Sequence, residues 1–77
     1  MKEKFSWKIE CAHTPETIDR ILLPIRKRGL TLNSFTYKKV DDKKAECTFE
    51  VEIEPTETER IHLNLLRIYD IDCVTKL

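Results

Sequence analysis

Glycine occurs once in this chain, at position 29. A loop that wraps a phosphate needs several glycines, so that backbone N–H groups can close on the anion. No phosphate-cradling loop is therefore encoded. Cysteine occurs three times, at 11, 47 and 73, without a C-x-x-C pair. Such a set supplies neither a disulfide framework nor pre-arranged zinc ligands, and it fits a reducing, cytoplasmic setting. Positive charge is not in excess, since 14 Lys and Arg balance 14 Asp and Glu. A nucleic-acid binder that tracks phosphates needs a basic surplus, so that class is disfavoured. No apolar run approaches the roughly 20 residues that span a bilayer. The opening MKEKFSWKIE alternates and is charged throughout, unlike a secretory signal. At 77 residues the chain reads as one small domain, 1–77, whose modest core gains from oligomerisation.

What is present is periodic apolar sequence in a heavily charged chain. Thr14 to Tyr37 organises it. Thr14 is placed to cap a helix and Pro15 to occupy its first position. Glu16 and Asp19 suit the positive end of the helix dipole, and Arg26, Lys27 and Arg28 the negative end. Ile18, Ile21, Leu22 and Ile25 form an apolar stripe, so a helix is expected over about 15–28. Gly29 ends it in the left-handed conformation. Pro24 lies inside; at about 100° per residue it falls away from the stripe, so a bend there opens toward water.

Residues 4–11 alternate strictly, with Phe5, Trp7, Ile9 and Cys11 on one face of a strand. A second strand runs from about Leu30 to Lys39. Leu32 and Phe35 fall on opposite parities there, which a bulge or a second buried surface would explain. VDDKK at 40–44 is a turn. A third strand turns Ala45, Cys47, Phe49, Val51 and Ile53 inward. Pro55 opens a helix over about 56–68 with Ile61, Leu65 and Ile68 inside and Tyr69 at the edge. A fourth strand over about 71–76 uses Ile71 and Cys73. The order βαββαβ predicts a ferredoxin-like α+β fold, an antiparallel sheet in the order 4-1-3-2 with both helices on one face. The outer face then carries Lys4, Ser6, Lys8 and Glu10 beside Glu46, Thr48, Glu50 and Glu52, a solvated charged surface.

The three cysteines share inward parity near one end of this sheet, beside His13. Without local ligand spacing they read as buried thiols, not as a zinc site. His13 and His62 are the only histidines, and neither can be matched to a nucleophile. No catalytic constellation and no cofactor are implied. Trp7 and Phe49 on central strands invite an RNA-recognition reading, but they share parity with Ile9 and Val51 and belong to the core. Leu63 and Leu66, with Arg60 and Arg67 at the margin, make an apolar patch on the second helix suited to a partner.

RGLTLNSFT at 28–36 resembles the R-G-Y-N-I-(D/E)-S-L-T segment of the small regulatory subunits of acetolactate synthase, which are ACT domains. PETIDRI at 15–21 looks like the start of the first helix in short members. NLLRIYDIDCVTKL at 64–77 is similar to their Q-L-x-K-L-V-D-V-x-x-V-x-x-L segment without a gap. The resemblance implies a single ACT domain that dimerises side by side and supports a thiamine-diphosphate-dependent catalytic large subunit in branched-chain amino-acid synthesis. It also implies an effector site by the first β–α loop, with His13, Thr14, Pro15, Glu16, Thr31 and Asn33 as candidates. Glu16 stands where valine-binding members have Gly, His13 where they have Asn, and Thr31 where they have Asn. Glu16 adds bulk and like charge, so no response to valine is expected. A homodimer through an edge strand or a helix face is expected, with the second strand, through Phe35 and Tyr37, as the edge. A free-standing ACT-type small-molecule sensor is the alternative.

Overall fold

A computed structural model describes residues 1–14 and 16–77. The elements are β1 (Glu3–Ala12), α1 (Thr17–Lys27), β2 (Thr31–Lys39), β3 (Lys44–Ile53), a short 3-10 turn (Pro55–Glu57), α2 (Thr58–Leu66) and β4 (Ile71–Lys76). The four strands form one antiparallel sheet in the order β2-β3-β1-β4. This is the expected 4-1-3-2 order read from the other edge.

The core lies between the sheet and the helices. Trp7 and Phe49 are directly opposed across β1 and β3 and stack with centroids 5.7 Å apart. Phe35 continues the row, 6.5 Å from Phe49. Both central aromatics are fully buried, so neither is free to stack a base. Ile9, Val51, Ile53, Ile21, Ile25, Ile61 and Leu65 complete the centre. The outer face pairs Lys4 with Glu52, Ser6 with Glu50, Lys8 with Thr48 and Glu10 with Glu46.

The end of α1 follows local chemistry closely. Gly29 has φ +62°. Its N–H donates to Arg26 O at 3.1 Å and Leu30 N–H to Ile25 O at 3.2 Å. These are the two bonds of a Schellman stop, and Leu30 packs onto the core beyond it. The start of α1 differs from expectation. The helix begins at Thr17, with Glu16 at the N-cap position and no side-chain cap bond. Thr14 is one turn too early, and its hydroxyl meets that of Thr17 at 2.6 Å. Pro15 lies outside the described residues.

The buried stripe of α1 is Thr17, Ile21 and Ile25. Ile18, expected in the core, is only half-buried, Leu22 packs at the rim, and Pro24 is half-buried. The helix is turned so that Thr17 goes inside. That is tolerated because its hydroxyl donates to Ala12 O at 3.0 Å. The second helix begins as a 3-10 turn and ends at Leu66, leaving Ile68 half-buried beyond it. Tyr69 is 93% exposed.

Two bulges set strand parity. In β2 the register passes from Leu32↔Val51 to Ser34↔Glu50, so Asn33 is the extra residue. Leu32 and Phe35 then face the same side, as a bulge requires. In β4 the register passes from Glu10↔Cys73 to Cys11↔Ile71. This slip moves Cys73 to the outer face with Glu10, correcting the expectation that all three cysteines point inward. Cys11 and Cys47 are buried and Cys73 is exposed.

Candidate functional site

The loop joining β1 to α1 is tied down from three directions. Ala12 N–H donates to Asp70 O and His13 N–H to Lys43 O, each at 2.8 Å. His13 Nδ1 lies 2.9 Å from the Tyr37 hydroxyl. The loop is thereby fastened to the turn before β4, to the β2–β3 hairpin and to the edge strand. Below it Asp70 is buried, paired with the Arg20 guanidinium and 3.5 Å from Thr17 Oγ1. Arg20 is half-exposed, whereas the Asp70 side chain it pairs with is buried. No buried side-chain N or O among the described residues lacks a partner.

The thiols beneath the loop are chemically quiet. Burial pushes the Cys11 thiol up, with the Asp72 and Asp70 carboxylates adding to the effect. Burial, then the neighbouring Cys11, pushes Cys47 up to about 12. Burial also raises the Tyr37 phenol. Protonated thiols are poor nucleophiles and poor metal ligands. The described residues contain no group of three His, Cys, Asp or Glu able to hold a metal ion.

The candidate effector residues do not all meet within one chain. His13, Thr14 and Glu16 sit at the loop, with Glu16 exposed. Thr31 pairs with Glu52 at the other end of the sheet, and Asn33 donates to Glu50 Oε2 at 3.1 Å on the outer face. Phe35 and Tyr37 are half-buried against the core, while the backbone edge of β2 is unpaired in the sheet. On α2, Leu63 and Leu66 are 46% and 50% exposed. Arg60 pairs with Glu57 at 3.7 Å, and Arg67 takes the C-cap position.

Thr17, Arg20 and Asp70 were not singled out in sequence. T-x-x-T at 14–17 carries a weak signal for the hydroxyl pair, but Asp70 lies 50 residues from Arg20 and nothing local announces their contact. No helix among the described residues is long and apolar enough to cross a membrane.

No protein-family model matches the chain, and no curated protein matches it in sequence. Solved structures do match in shape. The crystal structure of the ACT domain from GTP pyrophosphokinase of Chlorobium tepidum superposes with TM-score 0.85 at 13% identity, covering 100% of both chains. The solution structure of the C-terminal domain of the MgtC protein from Mycobacterium tuberculosis gives 0.77 at 16% identity, over 99% of this chain and 86% of that one. An uncharacterised protein from Thermotoga maritima gives 0.75 at 11% identity, over 100% and 96%. At such identities the likeness concerns architecture, and the architecture of this chain is the ferredoxin-like fold of an ACT domain.

Proposed function

We propose that the chain is a non-catalytic regulatory subunit, and specifically the small subunit of a thiamine-diphosphate-dependent acetolactate synthase acting in the cytoplasm. The observation that carries this reading is the ACT-type fold along the whole chain, together with the family-like segments at 28–36 and 64–77. Those segments lie on the α1–β2 junction and on α2 through β4.

The subunit acts as a homodimer through β2. A two-fold pairing of that edge would set the Thr31 end of one strand against the Lys39 end of its mate. Thr31 and Asn33 of one protomer would then approach the loop of the other, completing an effector site that one chain leaves divided. Glu16 stands exposed at the helix start, so valine is not the effector. Leu63 and Leu66 form the surface for the catalytic subunit. The test is a native pull-down followed by an acetolactate assay. Recovery of a catalytic subunit whose activity rises on adding the chain supports the reading, and failure to recover one removes it. The alternative is a free-standing ACT-type small-molecule sensor with no catalytic partner.

A further inference from the structure

The crease between α2 and β4 holds an opening of about 240 Å3 lined by Thr58, Glu59, His62 and Lys76. That is the room of roughly eight waters at about 30 Å3 each, on the scale of one aromatic amino acid. It is remote from the His13 loop, since Lys76 lies at the far end of β4 from the Cys11↔Ile71 pair. Lys76 is opposite Trp7, and so on the helix side of the sheet. Its Nζ stands 4.9 Å from the centroid of the Phe5 ring. Neither Lys76 nor Glu59 enters an ion pair among the described residues. His62 is half-buried, and its Nδ1 accepts the Trp7 indole N–H at 3.2 Å. This places the ring proton on Nε2, the nitrogen not engaged by Trp7.

Two opposite charges that line one crease without pairing leave a gap that a molecule bearing both charges bridges. We propose that this crease binds a small zwitterion with a flat apolar body. Its carboxylate meets Lys76 Nζ and the Nε2–H of His62, and its ammonium meets Glu59. Its body rests on the Thr58 methyl group and the imidazole. Charge-assisted hydrogen bonds of this kind are the stronger class, and they gain from the partial exclusion of water. An inward lysine on an edge strand also discourages edge pairing. Glu59 has no part in that, so variants of the two residues separate the roles. The proposal does not depend on a catalytic partner or on the effector loop.

Trp7 is the only tryptophan, and its indole N–H is bonded to a wall of the crease, so it is a single, direct reporter. The test titrates the full chain with L-phenylalanine, phenylacetate and phenethylamine, following the Trp7 indole resonance by two-dimensional NMR. A saturable shift with L-phenylalanine at millimolar concentration or below is expected. Binding should be weaker by about tenfold for each single-charge analogue, and by about tenfold in Lys76→Ala and in Glu59→Gln. Both substitutions are at surface side chains, and the spectrum itself verifies the fold. Absence of a saturable shift at tens of millimolar overturns the proposal. So does equal binding of either analogue, or unchanged binding in either variant.

Discussion

The Tyr37 hydroxyl and His13 Nδ1 lie 2.9 Å apart, joining the unpaired edge strand to the first residue after β1. Tyr37→Phe keeps the ring packed and removes this bond alone. A loss of about 1 kcal/mol in urea denaturation is expected. His13→Ala in the same background should add less than it does alone, because the two act on one contact. Full additivity would show that the contact carries no stability.

Arg20 over Asp70 is the second fastening. Arg20→Met keeps the aliphatic stem and leaves a buried carboxylate without its cation. The expected cost is about 1–3 kcal/mol, at the lower end because Arg20 is half-exposed. Asp70→Asn retains hydrogen bonding to Thr17 and should cost less than Arg20→Met. The reverse ranking in denaturant midpoints would count against the pair as described.

Thiol accessibility follows from the β4 bulge. Cys73 is exposed while Cys11 and Cys47 are buried. An aromatic disulfide reagent should modify one thiol per native chain and all three in denaturant, and Cys73→Ser should abolish the native reaction. Rapid native labelling of two thiols would place the register shift elsewhere.

Burial of the Cys47 thiol predicts a loss of stability at alkaline pH. Its thiol is raised from the ordinary 9.0 to about 12 by burial. With the folded value above the unfolded one, this contribution is complete below about 9 and is lost as pH rises through about 12. Denaturation midpoints should fall across that window, and less steeply in Cys47→Ala, which has no thiol to ionise. Parallel slopes in the two proteins would exclude Cys47 as the cause.

The proposed subunit role makes a prediction for the exposed side of α2. Leu63→Asp with Leu66→Asp alters two side chains that are about half exposed. Circular dichroism and sedimentation should be unchanged, while stimulation of the cognate acetolactate synthase should be lost. Full stimulation by the folded double variant would move the contact to another surface and leave the subunit role standing.

Element order, the sheet order and the aromatic centre were legible in the chain, because each depends on short-range pattern. Strict alternation set Trp7, Ile9, Phe49 and Val51 on one face. Gly29 marked the end of α1, because only glycine takes φ +62° without strain. The opposite parities of Leu32 and Phe35 pointed to a bulge or a second buried surface, and only the structure shows the bulge, at Asn33. Tertiary structure alone decided the rest. The rotation of α1 that buries Thr17 in preference to Ile18 depends on acceptors at Ala12 and Asp70, which lie outside the helix. The facing of Cys73 depends on one extra residue in β4, which reverses parity with no change in the apolar pattern. The meeting of Arg20 with Asp70, and the placing of Glu59 and Lys76 on one crease, need the chain closed on itself. Charge partners carry no sequence period; they are set by which elements packing brings together.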